Sequence, residues 1–110
     1  MATIFNQLHD VGGGPRGGVL VTVSLVWDND LSPVARLTDD DVFVVEEYSV
    51  VTDGDGRWEA DVVPNSSIEP TGSLYKILEG SYNPYFVDVT DSATPVFWVG
   101  DILADEPEWA

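Results

Sequence analysis

The sequence contains no cysteine, so neither a disulfide framework nor a cysteine-ligated zinc site can hold this chain together. His9 is the only histidine, and without a partner histidine or cysteine we expect it at the surface, in neither a zinc site nor a catalytic triad. Stability must therefore come from packing. A chain of 110 residues with 44% hydrophobic content is large enough for one domain with a small core.

Basic residues are scarce as well. Four Lys and Arg side chains stand against twenty Asp and Glu side chains, which gives a formal net charge of −16. A surface of this charge repels phosphate backbones and anionic lipid headgroups, so we expect neither nucleic acid nor a membrane as a partner. The charge favours solubility and leaves a basic protein partner open.

Long hydrophobic runs and helical periodicity are both missing. The longest apolar stretch, residues 19–27, is much shorter than the roughly twenty residues that a membrane-spanning helix needs. Residues 1–14 lack a basic segment followed by an apolar one, so we expect no secretory signal peptide. No window of about eleven residues repeats apolar side chains at helical spacing, and no helix is predicted.

Short segments with alternating apolar side chains are present instead. Residues 19–27 place Val19, Val21, Val23, Leu25 and Trp27 on one face, which is typical of a half-buried strand. Further strands are predicted at 35–37, 42–51, 57–62, 74–78, 85–90 and 96–99. Turn residues separate them, and the pattern predicts an all-β fold, an antiparallel β-sandwich of about six to seven short strands.

The stretch from 50 to 77 carries the strongest local signals. Asp53-Gly54 and Asp55-Gly56 favour a tight turn, and we expect the strands on either side of it to pair as a β-hairpin. Trp58, Ala60 and Val62 alternate with charged residues and should face the core. A polar loop follows, in which Ile68 is expected to fill the core from the side.

Composition suggests three segments. Residues 1–18 end in a run of glycines and are predicted to be a flexible N-terminal arm. Residues 19–103 should form the β-sandwich domain, and residues 104–110 an acidic C-terminal tail. Little chain follows residue 103, so we do not expect an extended shaft.

No catalytic residue and no cofactor are predicted, because no nucleophile, base or phosphate-binding loop can be identified. Asp53 and Asp55 are the calcium candidates, since acidic residues alternate there in a glycine-rich turn. The spacing does not match an EF-hand loop, and a hairpin turn is the competing interpretation. The acidic run at 39–41 is a calcium candidate on the same grounds.

Aromatic and N-terminal side chains are the candidates for partner contact. Trp58 belongs to the inward set of its strand and is expected in the core. Residues near turns, in the predicted arm and in the tail are the ones that can reach a partner. They are Phe5, Leu8, Arg16, Tyr82, Tyr85 and Trp109.

The residues between 52 and 75 resemble a pattern found in small β-domains of bacteriophage virion proteins. Here it reads TDGDGRW at 52–58, VPN at 63–65, IEPTGS at 68–73 and then Tyr75. The likeness extends over about residues 50–100 and is shared with immunoglobulin-like, transthyretin-like and carboxypeptidase-regulatory-like sandwiches.

The resemblance implies a non-enzymatic structural protein of the virion, made in the host cytoplasm. A minor tail or tail-fibre-associated component is the first expectation, and a capsid decoration protein is the alternative. Assembly would use the arm, the sheet edges and the tail, with other virion proteins as partners and self-association in the particle. A carbohydrate-binding adhesion module, with a host-surface glycan as its ligand, is the alternative of a different class.

Overall fold

The computed structural model describes residues 2–27, 36–37, 47–69, 72–90 and 95–105. These residues contain ten short strands and two single-turn 3₁₀ helices, at Asn65–Ser67 and Val99–Asp101. None of the helices in this part of the chain is long and apolar enough to cross a membrane. The strands are β1 Ala2–Gln7, β2 Leu20–Val26, β3 Arg36–Leu37, β4 Glu47–Val51, β5 Arg57–Val62, β6 Ile68–Glu69, β7 Leu74–Glu79, β8 Tyr85–Val87, β9 Val96–Trp98 and β10 Leu103–Ala104.

The strands form a β-sandwich, which confirms the predicted fold class. One sheet has the order β5-β1-β9, and the other has the order β10-β8-β7-β2-β4. Every pair in the five-stranded sheet is antiparallel, whereas β1 runs antiparallel to β5 and parallel to β9. A separate two-stranded sheet joins β3 to β6. The predicted six to seven strands omitted β1, β6 and β10.

Alternation along the strands builds the core between the sheets. Val21, Val23, Leu25 and Trp27 are all buried, as predicted from their period of two. In β5 the side chains of Trp58, Ala60 and Val62 are buried while the charged residues between them are exposed, which is also as predicted. Ile68 is buried too and fills the core as expected. Residues 42–46 of the predicted strand 42–51 lie outside the described residues.

The N-terminal residues form part of this core, so the predicted arm over residues 1–18 is wrong. Strand β1 is the central strand of the three-stranded sheet, and Ile4 has no solvent-exposed surface. Its two neighbours complete the backbone hydrogen bonds on both sides, with Ile4 opposite Ala60 on β5 and Phe97 on β9. Residues 8–19 connect the two sheets. At the other end, Ala104 belongs to β10, and residues 106–110 of the predicted tail lie outside the described residues.

The turn at residues 52–56 does not make the predicted hairpin. It leads from β4 in one sheet to β5 in the other, and the two strands have different partners. The hydroxyl of buried Thr52 fixes this corner: it donates to the carbonyl oxygen of Arg16 (2.7 Å) and accepts from the backbone N–H of Val19 (2.9 Å). Gly56 has a φ of 78°, and a side chain there would overlap the carbonyl oxygen of Leu8.

Candidate functional site

A buried carboxylate joins the two sheets. The period of two in β7 directs Tyr75, Ile77 and Glu79 inward, and all three are buried. The indole N–H of Trp58 donates to Oε2 of Glu79 at 2.7 Å, and the amide of Asn6 donates to the same oxygen at 2.8 Å. In both contacts a carboxylate oxygen is the acceptor. The network therefore ties β1 and β5 of one sheet to β7 of the other.

Trp98 extends this network toward the surface. Its indole N–H donates to Oδ1 of Asn6 at 3.1 Å. The ring also packs closely on Gly100, where an added Cβ would lie 2.5 Å from ring carbons. Even so, 49% of the Trp98 surface is exposed. The side chain is thus held in one orientation while about half of it faces solvent.

A cavity of about 400 Å³ opens beside this tryptophan. Its wall is mainly apolar and is formed by Asn6, Tyr85, Trp98, Val99, Gly100 and Leu103. The hydroxyl of Tyr85 is buried and has no hydrogen-bond partner among the described residues. Burial raises the pKa of this hydroxyl, and the negative charge of Glu79 raises it further. The cavity therefore combines aromatic surface with a nearby carboxylate.

Three exposed apolar side chains lie together on the outer face of the five-stranded sheet. Leu20 on β2 is directly opposite Val51 on β4, and each is 55% exposed. Leu78 on β7 lies opposite Thr22, so it is a diagonal neighbour of Leu20. Its side chain is 37% exposed. We call Leu20, Val51 and Leu78 the outer apolar row. Isolated exposed leucines are ordinary, whereas these three are neighbours on three adjacent strands and form a small apolar patch.

The predicted contact residues of the N-terminal segment belong to the sandwich. The ring of Phe5 lies under the guanidinium of Arg57, 4.4 Å from the ring centroid. Leu8 extends the pairing of β1 and β5, because its backbone N–H donates to the carbonyl oxygen of Gly56 at 2.8 Å. Both residues are therefore held beside the sheet and not on a free arm, and their contact with a partner stays a prediction.

Two other predicted contact residues, 66 positions apart, meet at the surface. The guanidinium of Arg16 donates to the hydroxyl of Tyr82 at 3.1 Å and lies 6.0 Å from the centre of its ring. Both residues are exposed, so a partner can reach them. Tyr85 instead lines the cavity. Trp109 lies outside the described residues.

The calcium candidates are part of the turn between the sheets. Oδ1 of Asp53 accepts hydrogen bonds from the backbone N–H groups of Asp55 (2.9 Å) and Arg57 (3.0 Å), which uses this oxygen to close the turn. Within the described residues, no three acidic, histidine or cysteine side chains come together as a metal site would require. The acidic run 39–41 lies outside these residues.

Sequence reasoning did not identify Asn6, Glu79 or Trp98 as site residues. A signal existed for the first two, because each is a polar residue on the inward face of an otherwise apolar strand. A polar side chain at such a position needs a partner in the interior. For Trp98 no such signal existed, because residues 96–99 are apolar throughout and do not alternate.

Comparison with models of known protein families finds none that matches this chain, and comparison with curated proteins finds no similar sequence. The resemblance to virion β-domains between residues 50 and 100 therefore stays a prediction.

Proposed function

We propose that this chain is a non-enzymatic structural component of a bacteriophage particle, a minor tail or tail-fibre-associated protein that binds its neighbours through the outer apolar row. The observation that carries the proposal is the side-by-side exposure of Leu20, Val51 and Leu78 on the five-stranded sheet. The resemblance of residues 52–75 to virion β-domains supports the location in the particle.

The edge of the same sheet offers a second means of attachment. Strand β4 pairs with β2 on one side, and no described strand pairs with its other side. A free strand edge can accept a strand from another protein through backbone hydrogen bonds. Val51 belongs to both features, since it is a β4 residue and a member of the row. A partner strand at this edge would therefore cover part of the outer apolar row.

The formal charge supports a basic partner. Two copies of a chain with a formal charge of −16 repel one another, so self-association has to overcome that repulsion. The proposed partner is a different protein of the particle, with an apolar contact surrounded by basic side chains. Self-association in the assembly, as predicted from the resemblance, is the alternative outcome.

Purified particles of the virus that encodes the chain provide the test. Mass spectrometry of these particles should detect the protein at a fixed ratio to a major structural protein after repeated gradient purification. Gold-labelled antibody should then mark the tail, whereas labelling of the head would favour the capsid decoration alternative. Complete loss of the protein on purification would refute the virion proposal.

A further inference from the structure

We propose that the cavity beside Trp98 binds a small quaternary ammonium ion of the choline type, with its methylated nitrogen against the rings of Trp98 and Tyr85. This site is separate from the outer apolar row and does not depend on the proposed structural role.

The aromatic lining favours a cation. Trp98 presents a half-exposed indole whose position is fixed by Asn6 and Gly100, and Tyr85 contributes a second ring to the same cavity. The faces of aromatic rings carry negative partial charge and attract cations, with tryptophan the strongest of the three rings. A rigid, half-exposed tryptophan needs no rearrangement before it binds.

The charge around the cavity is negative, which suits a bound cation. The carboxylate of Glu79 accepts a hydrogen bond from the cavity residue Asn6 at 2.8 Å and is close enough to Tyr85 to raise the pKa of its hydroxyl. No Lys or Arg is among the described residues that line the cavity, and Asp101 follows Gly100 at its edge. Negative potential inside a mainly apolar cavity lowers the cost of transferring a cation from water.

The polar groups distinguish among cations. A primary ammonium carries three N–H donors and needs several acceptors, which a mainly apolar wall does not supply. A quaternary ammonium has no N–H donor, so the same wall suits it. A sugar fits less well, because most of its hydroxyl groups would lack partners.

The size of the cavity is adequate. Its volume of about 400 Å³ lies within the range of about 300–1,000 Å³ for small-molecule sites. Choline is smaller than this and leaves room for water near the exposed side of Trp98.

The test compares choline with its neutral isostere, 3,3-dimethylbutan-1-ol, on the full chain at matched ionic strength. NMR titration of the tryptophan indole N–H signals should show a saturable shift of the Trp98 signal with choline. The isostere should bind about tenfold more weakly, because it has the same shape but lacks the charge. Equal affinity for both compounds would overturn the proposal. So would binding of glucose or N-acetylglucosamine without binding of choline, or no shift with any of them.

Three variants separate the contributions. Trp98→Leu should weaken choline binding about tenfold or more, while Tyr48→Leu, which alters an equally exposed aromatic residue on β4, should leave it unchanged. Glu79→Gln should weaken binding of choline but not of the isostere, because the amide is uncharged while its oxygen can still accept from Trp58 and Asn6. Thermal unfolding checks that each variant is folded. If Trp98→Leu is folded and binds choline as the wild type does, the proposed site is wrong.

Discussion

Ile4→Ala should destabilise the protein strongly, because Ile4 lies at the centre of the sandwich with none of its surface exposed. The substitution removes three carbon atoms. At about 0.8 kcal/mol for each buried methylene-sized group, the loss of transfer free energy is about 2.4 kcal/mol. The cavity left behind brings the expected decrease in the free energy of unfolding to about 3–4 kcal/mol. That is a large fraction of the roughly 5–15 kcal/mol typical of a small domain.

Urea unfolding followed by circular dichroism would measure this decrease, and the melting temperature should fall by about 10 °C or more. Leu20→Ala is the control, since it shortens an aliphatic side chain that is 55% exposed and should cost less than about 1 kcal/mol. If residues 1–18 were an arm, Ile4→Ala would behave like the control. A change below about 0.5 kcal/mol for Ile4→Ala would refute the central position of β1.

The other predictions concern the corner turn and alkaline stability. Gly56→Ala should lower the free energy of unfolding by more than about 1 kcal/mol, because φ is positive there and the carbonyl oxygen of Leu8 blocks the added methyl group. Gly54→Ala is the control and should be nearly neutral, since its added methyl group meets no atom within 4 Å. Midpoints of urea unfolding would compare the two variants. Burial raises the pKa of Tyr75 above its ordinary value, so the unfolded chain loses this proton first and the free energy of unfolding falls as pH rises above about 10. Between pH 10 and 11, Tyr75→Phe should reduce the loss in free energy of unfolding by up to about 1.4 kcal/mol, as measured by urea unfolding at the two pH values. If the variant loses as much stability as the wild type, burial of Tyr75 does not cause the alkaline loss.

The strands that bury one face were predictable, whereas the sheet joined by each strand was not. Val21, Val23 and Leu25 repeat with a period of two, and so do Trp58, Ala60 and Val62, because burial of one face imposes that spacing. Strand β1 was missed since its sequence, ATIFNQ, ends in two polar residues and leads into a glycine-rich segment. The turn at 52–56 was located correctly. However, turn chemistry is local and does not show that β5 pairs with β1.

The candidate site was much less predictable, because distant parts of the chain form it. Asn6 and Glu79 are 73 residues apart, and Asn6 and Trp98 are 92 residues apart. Alternation alone places Glu79 on the inward face of β7, and this is as far as the sequence leads. Its partners, Trp58 and Asn6, are determined by how the two sheets pack, which leaves no local signal.

The central functional claim is that the outer apolar row attaches the protein to its particle. The most direct test is the copy number per particle of two matched variants, Val51→Thr and Val96→Thr, measured by quantitative mass spectrometry. Both valines are 55% exposed and lie on edge strands, but of different sheets. Val51→Thr should bind about tenfold more weakly and be depleted from particles, since a hydroxyl enters the apolar contact, while Val96→Thr should match the wild type. Equal copy numbers for Val51→Thr and the wild type would contradict the claim.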